Sequence, residues 1–400
     1  MPDALQKMIA SRYAGRDLPV ALVLPDGARL PLSPAPEVDV IARSLAGLKT
    51  LATPAMGKLA RAYVHDDVDF TGSAKRVLAI AESMVGDVAN GGESARGRVL
   101  SFLHHRRSNR SNIAHHYDVS NAFYRMWLDR RMVYSCAYFK SADDSLDDAQ
   151  AQKVDHICRK LRLAQGERFL DIGCGWGGLI LWAAERYGVH ATGITLSQNQ
   201  FEHVSREIEA RGLRERVRVE LRDYLDLPDE PMFDKIASVG MFEHVGPQNY
   251  DRYFGKIRNL LVPGGFVLNH GITQNDPSRR ALGSGIGEFV EEYVFPGGSL
   301  AHVSRVMEGI AQQGLEVVDA EALREHYAKT LWHWVERLES NADAARAEVG
   351  EEKYRIWRIY MAGSAHAFDR GWLSLWQLLA GKPHADGRLP HPLTRDYIYG

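Results

Sequence analysis

Hydrophobic and polar positions in the middle of the chain alternate between two rhythms. Short apolar runs, the length of strands, are followed by longer stretches with apolar residues at helical spacing. Residues 168–172 read as a buried strand entering a glycine-rich turn, with a helix over about 177–187. Residues 190–194 form a second strand, followed by Thr195-Leu-Ser-Gln-Asn-Gln200 and a helix to about Arg211. A third strand covers 216–221, with Asp223 and Tyr224 at its end, and a fourth covers 234–240, ending in Met241-Phe-Glu-His-Val245. Pro263-Gly-Gly265 turns into a fifth strand, 266–272, which carries His270. This alternation predicts an α/β fold, a mostly parallel sheet with right-handed crossovers and helices on both faces. Ligands of such sheets sit at the carboxyl ends of the strands. Asp171, Thr195, Asp223, Glu243 and His270 therefore fall along one rim.

The flanks read differently. Residues 1–95 predict a small α+β domain, a binding or dimerising module. It has a hairpin over 20–32 turning at Pro25-Asp-Gly27, an amphipathic helix over 38–51, and a helix capped by Ser73 that runs through Val85. No cluster of His, Cys or carboxylate residues there suggests chemistry. A linker covers 96–110, after the glycine-rich Asn90-Gly-Gly92, and the domain carrying the sheet covers 111–400. The basic run His104-His-Arg-Arg107, with Arg110 and the apolar Phe102 and Leu103, suits contact with lipid phosphates. It suits a solvated linker equally well. The aromatic-rich stretch from His115 through Trp127 to Phe139 predicts a helix packed on the sheet by its aromatic face, followed by a helix over 146–161. Beyond the fifth strand come Phe289-Val-Glu-Glu-Tyr-Val-Phe-Pro-Gly-Gly298, a helix over 299–313, a strand over 315–318 and a helical, tryptophan-rich C-terminal part. Tyr354, Trp357, Met361, Ser364 and Phe368 share one helical face, so Ser364 is expected to point inward.

Composition narrows the class of protein. A hydrophobic fraction of 45% and a charged fraction of 25% are those of an ordinary globular chain, and 400 residues suggest two domains. The net charge of −2 gives no global field favouring nucleic acid, and no nucleic-acid partner is expected. Cys136, Cys158 and Cys174 have no metal-ligand spacing, and no metal site is expected. With no signal-like start and no apolar run of spanning length, a cytoplasmic protein is expected, touching membranes only peripherally.

The glycine turn carries the first chemical signal. Gly173, Gly175 and Gly177 allow a tight turn and close approach of a ligand to the backbone. The helix that follows aims free N–H groups at it. Asp171 before the first glycine makes the motif Asp-x-Gly-x-Gly, the opening loop of many S-adenosylmethionine-dependent methyltransferases. By itself the motif also fits other nucleotide-binding sheets.

Four motifs in order sharpen this. Tyr134-Ser-Cys-Ala-Tyr-Phe139, Leu170-Asp-Ile-Gly-Cys-Gly-Trp-Gly-Gly178, Thr195-Leu-Ser-Gln-Asn-Gln200 and Met241-Phe-Glu-His-Val-Gly246 together resemble the cyclopropane-fatty-acyl-phospholipid synthase family, relatives of the mycolic acid cyclopropane synthases. The likeness covers roughly 100–380, and 1–100 resembles less sharply the N-terminal domain of the bacterial phospholipid enzymes. It implies a class I methyltransferase-type, Rossmann-like sheet. It implies S-adenosylmethionine as cofactor, contacted by Tyr134 and Ser135, by Asp171, Gly173, Cys174, Gly175 and Trp176, and by Thr195, Leu196 and Ser197. Gln200 would reach the ribose, and Asp223 and Tyr224 would flank the adenine. It also implies a bicarbonate ion held around Cys136, Glu243, His270, the backbone of Ile272 and Tyr327. The family's cysteine on the late helix aligns with Ser364, which leaves the product open.

The chemistry implied is attack of an alkene on a sulfonium methyl, followed by loss of one proton to close a cyclopropane ring. Tyr327 and the Glu243–bicarbonate pair would stabilise the carbocation, Glu243 would orient the base, and His270 would donate a hydrogen bond to it. The expected substrate is the unsaturated acyl chain of a phospholipid at the inner face of the cell membrane, with a homodimer expected by resemblance alone. A methyl-branched or otherwise methylated product, and a non-catalytic lipid-binding protein, are the alternatives. Read singly, Glu243 also fits a helix-capping carboxylate, His270 a strand-end histidine, and Cys136 and Tyr327 plain core residues.

Overall fold

The structure, a computed structural model, describes residues 8–9, 11–13, 18–85, 119–277, 285–294 and 300–399. The basic run at His104 to Arg110, the linker 96–110, and residues 115–118 and 295–299 lie outside the described residues.

The chain forms two compact units, and they do not follow the sequential division at 95 and 111. The first comprises 1–107, 280–296 and 331–367; the second comprises 108–279, 297–330 and 368–400. Within the first unit, β1 (Val20–Val23), β2 (Arg29–Pro31), β3 (Val38–Ala42) and β4 (Val68–Phe70) form a sheet of order β2-β1-β3-β4. The hairpin β1–β2 is as the sequence predicts. The expected helix over 38–51 is corrected. Val38, Val40 and Ala42 alternate inward as strand β3, parallel to β1, and a helix begins only at Leu45–Ala52. Ser44 marks the break, its hydroxyl accepting the Gly47 N–H at 3.1 Å. Residues 331–367 join this unit through two arginines. Arg358 donates to Tyr63 Oη at 2.9 Å, to the Gly72 carbonyl at 3.0 Å and to Glu339 at 2.8 Å. Arg355 donates to the Tyr63 carbonyl at 2.8 Å and pairs with Asp69 at 3.2 Å.

The second unit is built on seven strands: β5 (Arg168–Ile172), β6 (His190–Thr195), β7 (Val217–Leu221), β8 (Phe233–Val239), β9 (Leu261–Gln274), β10 (Glu316–Ala322) and β11 (Leu373–Gly381). Their order is β10-β11-β9-β8-β5-β6-β7. From β9 to β7 all neighbours run parallel, while β11 is antiparallel to both β9 and β10. Successive residues of the central strands feed opposite cores. Phe169, Ala191 and Leu268 pack with the helices Leu146–Leu161 and Gly178–Tyr187. Leu170, Ile194 and Val267 pack with the helices Tyr250–Leu260 and Val303–Gln312. Each fully buried aliphatic side chain contributes about 2 kcal/mol, so both faces hold the sheet flat against its helices.

Three further expectations are corrected. The Pro263-Gly-Gly265 turn is absorbed into β9, which runs from Leu261 with a register irregularity against β8 between Phe233 and Lys235. Among its described residues, the aromatic stretch before residue 140 yields only a short helix, Asn121–Arg125, capped by Ser120. The C-terminal part is not wholly helical. After the helix Glu351–Asp369 the apolar run Leu373-Ser-Leu-Trp-Gln-Leu-Leu-Ala380 enters the sheet as β11. A run of that composition suits a buried helix or a buried strand, and the open place between β9 and β10 decides for strand.

Candidate active site

Asp171, Thr195, Asp223 and Glu243 lie at or just past the ends of β5, β6, β7 and β8, and His270 lies inside β9, level with Val239 at the end of β8. Gly173, Gly175 and Gly177 all have φ between +54° and +84°, where a Cβ is strained. A Cβ at Gly175 would also meet nothing within 4 Å, so open space lies beside the loop. Asp171, next to the end of β5, is buried, and its Oδ1 has no hydrogen-bond partner. Burial pushes its carboxyl up to about 7, partly offset by the Lys153 ammonium. Lys153 is itself buried and pushed down to about 8, the opposing pull coming from Cys136, Asp129 and Asp171. Its Nζ donates to Ser135 Oγ at 2.8 Å, and Gln150 donates to the Ser135 carbonyl at 2.8 Å. Gln150 and Lys153 were not expected in the site. Their signal is polarity on the otherwise apolar face of helix Leu146–Leu161.

The remaining cofactor-side candidates divide into those that face the rim and those that serve the scaffold. Trp176 donates to Asn121 Oδ1 at 2.8 Å and packs 4.6 Å from the Tyr124 ring. Tyr134 adds to this cluster, 5.8 Å from Tyr124 and 5.4 Å from Trp127. The Cys174 thiol turns into the core, where a Cβ on Gly193 would touch it at 2.8 Å, leaving only its backbone to the loop. Thr195 donates to Gln200 Oε1 at 2.7 Å, fixing the amide in place. The expected loop 195–200 is largely a helix start, because Ser197 caps helix Gln198–Ala210 through the Gln200 N–H. Leu196 is half-buried between the two. Asp223 caps the turn Tyr224–Asp226, and Tyr224 stands edge-on to Tyr253 at 5.5 Å.

The second cluster lies at the ends of β8 and β9. Glu243 Oε1 accepts the Ile272 N–H at 2.8 Å, while Oε2 is sealed from solvent with no partner. Burial pushes this carboxyl up to about 7, against the hydrogen bond from Ile272. His270 is buried, and burial, reinforced by Lys153 and Lys160, holds its pKa well below the ordinary value, so the ring is neutral. Gln377 on β11, directly opposite in register, brings its Nε2 to 3.1 Å from His270 Nδ1. With that amide donating, the ring proton sits on Nε2, which has no partner. Tyr250 Oη, near Glu243, is a further buried group without a partner. Gly271 between His270 and Ile272 is a cradle: a Cβ there would lie 2.0 Å from the Phe242 ring and 2.9 Å from Glu243 Oε1. Sequence reasoning missed Gln377 because its strand was read as helix, and Tyr250 because nothing in its neighbourhood marks it.

Cys136 and Tyr327 lie on adjoining segments. The Cys136 thiol is fully buried, directed at the Ala137 carbonyl at 3.2 Å and 3.8 Å from that of Leu323, and burial pushes its pKa upward, so it is a neutral thiol. Tyr327 is buried on helix Arg324–Ser340, its ring 4.8 Å from Phe368. Ser364 belongs to the first unit. It is half-buried, whereas Tyr354, Trp357 and Met361 of its stripe are buried.

The site therefore offers two kinds of unfilled partner. A buried acceptor, Asp171 Oδ1, beside an open glycine loop suits a cationic ligand with an amino or sulfonium group. A donor, His270 Nε2–H, and an acceptor, Glu243 Oε2, suit a small hydroxylated anion. Both arrangements fit the groups that the motif resemblance implies. Among the described residues no cluster of His, Cys, Asp and Glu has the makings of a metal site.

Comparison with known proteins agrees with this geometry. The sequence profile of mycolic acid cyclopropane synthetase matches residues 104–378. A probable fatty acid methyltransferase of Pseudomonas putida is 43% identical over 399 residues, covering 100% of this chain and 99% of its own length. Cyclopropane mycolic acid synthase 1 of Mycobacterium tuberculosis is 37% identical over 281 residues, 68% of this chain and 97% of its own. The crystal structure of mycolic acid cyclopropane synthase CmaA1 complexed with SAH and CTAB superposes with a TM-score of 0.65 at 36% identity, covering 69% of this chain and 99% of that one. The strand order, the glycine loop and these matches together make the chain a member of the mycolic acid cyclopropane synthetase family.

Proposed function

We propose that this protein transfers the methyl group of S-adenosylmethionine to the double bond of an unsaturated phospholipid acyl chain, closing a cyclopropane ring with bicarbonate as base. The observation that carries the reading is the set of buried, unpartnered polar atoms at Asp171, Glu243 and His270. Burying polar atoms without partners costs about 1–3 kcal/mol each, a cost that ligands at those positions offset. The family supports methyl or methylene transfer to lipid acyl chains, and a relative's complex with SAH supports the donor.

The bound groups would supply an electrophilic sulfonium methyl and a base for one proton. The chain's own residues bind, orient and dehydrate. Asp171 and the Gly173–Gly175 backbone hold the donor, with Gln200 and Tyr224 on its adenosyl side. His270 Nε2–H donates to the anion, and ionised Glu243 accepts at Oε2 while Ile272 N–H fixes Oε1. Tyr327 presents an aromatic face to cationic charge on the chain. The neutral Cys136 thiol, its proton directed at the Ala137 carbonyl, packs beside the site without adding a nucleophile. Excluding water prevents capture of the cation as an alcohol.

We extend the proposal to its setting: peripheral contact with the inner face of the cell membrane, and a homodimer. No helix among the described residues is long and apolar enough to cross a membrane. A methyl-branched product is the second reading, favoured by the relative named a probable fatty acid methyltransferase. The decisive experiment incubates the purified protein with vesicles of unsaturated phospholipid and trideuteriomethyl-labelled donor. Mass spectrometry should find a CD2 unit gained, and proton NMR should find the olefinic signals replaced by those of ring hydrogens. A retained olefin or a CD3 branch supports the second reading. Unaltered lipid without release of S-adenosylhomocysteine ends both.

A further inference from the structure

A cavity of about 540 Å³ opens in the second unit, away from the ends of β8 and β9. It lies among the segment after helix Asn121–Arg125, one face of helix Gly178–Tyr187 and one face of helix Gln198–Ala210. Five arginines and three carboxylates line it. The carboxylates are already engaged. Glu185 and Glu207 both pair with Arg211, at 3.2 and 2.8 Å. Asp129 is buried and accepts the backbone N–H groups of Arg131 and Val133 at 3.0 and 2.8 Å.

Arg130 pairs with Asp147 at 3.8 Å, and Arg131 donates to the Asp147 backbone carbonyl at 3.4 Å and feels the Asp129 and Asp147 carboxylates at longer range, so Arg125, Arg131 and Arg186 are the lining cations that close no ion pair among the described residues. The guanidinium carbons of Arg131 and Arg186 each lie 5.1 Å from the centroid of the same indole, that of Trp182. The two cations therefore stand no further apart than twice that distance. Like charges held this near repel, and the indole face offsets the repulsion only in part. Burial and the neighbouring Arg130 hold the Arg131 guanidinium below its ordinary pKa, which an anion would reverse. Guanidinium forks match the several oxygens of a phosphate better than they match a single carboxylate. The volume suits a small organic ligand.

We propose that this cavity is a binding site for a phosphate-bearing anion, with Arg131 and Arg186 as its principal ligands. Trp176 lines the cavity and also belongs to the glycine loop, so the loop and the cavity share a side chain. The proposal rests on Arg125, Arg131 and Arg186, none of which belongs to the rim described above, while Trp176 is shared with the loop assigned to the methyl donor. The phosphate is either that of a phospholipid headgroup or a soluble one.

The test uses the full chain and its Arg131→Gln/Arg186→Gln variant. Tryptophan fluorescence is titrated with inorganic pyrophosphate, and flotation is measured with phosphatidylglycerol vesicles. Pyrophosphate affinity about tenfold weaker in the variant assigns a soluble ligand. Vesicle binding about tenfold weaker, with no saturable pyrophosphate binding by the parent, assigns the headgroup. If neither ligand distinguishes the variant from the parent, the proposal is overturned. The thermal midpoint and S-adenosylhomocysteine affinity of the variant report on its fold. If the double variant does not fold, Arg186→Gln alone, on an exposed helix face, is read the same way with about a threefold effect.

Discussion

Glu243 is held by one oxygen and left open at the other, and that asymmetry gives it both a role and a cost. Its carboxyl titrates near 7 instead of the ordinary 4.5 because ionisation takes place out of water. A raised carboxyl pKa leaves stability whole below about pH 4.5 and erodes it as pH rises toward 7. Glu243→Gln removes that erosion. Above pH 7 the variant should be the more stable protein, by on the order of 2 kcal/mol, with the gap closing toward pH 4.5. Urea melts across that pH range measure this, and equal stability at all pH values would contradict the burial argument. The same variant should lose about 10²-fold or more in turnover while binding S-adenosylhomocysteine normally. Turnover of the parent should rise with pH through about 7, since the ionised carboxylate is the acceptor. Gln377 acts through His270. Gln377→Met removes the donor to Nδ1 and frees the ring to take the other tautomer, so turnover should fall about 10- to 100-fold. The KM for the methyl donor should stay unmoved, and nitrogen NMR of His270 should show the tautomer change. An unchanged tautomer would remove Gln377 from the mechanism.

At the scale of elements, the site depends on how closely the short helix Phe242–Val245 rests on β9. Gly271 makes that approach possible, since any Cβ would overlap the Phe242 ring. Gly271→Ala should therefore push Glu243 off the Ile272 N–H and destabilise the protein by about 1–3 kcal/mol, measured by chemical denaturation. Activity should fall further than that loss of stability alone explains. Strand β11 matters for a related reason: it carries Gln377 into register with His270. An antiparallel strand arriving from the far end of the chain thus sets the protonation geometry of a histidine on a parallel one.

At the scale of the molecule, the first unit is assembled from distant parts of the chain, and Arg358 joins two of them, 1–107 and 331–367. Its guanidinium reaches Tyr63, Gly72 and Glu339 while being almost wholly buried. Arg358→Met should leave Glu339 short of its cation and lower stability by about 3–5 kcal/mol. The midpoint of a denaturant titration checks this, and a loss well under 1 kcal/mol would mean the pair contributes little. Such an assembly explains why a division of the chain by linker composition did not find the compact units. Residues 331–367 carry ordinary amphipathic helix patterns, and nothing local says which unit they complete.

The sequence by itself determined the alternating strands and helices, the glycine turn after β5, and the line of Asp171, Thr195, Asp223, Glu243 and His270 along one rim. These follow from local periodicity and from residue types with few alternative uses. The helix read over 38–51 failed because alternating Val38 and Val40 fit either rhythm until a sheet neighbour is present. The tertiary structure alone decided the partners: β11 beside β9, Gln377 on His270, and Lys153 on Ser135. It also decided which buried oxygens and nitrogens were left without any. Those are properties of groups far apart in the chain, and only burial and register, which exist once the sheet has closed, give them a value.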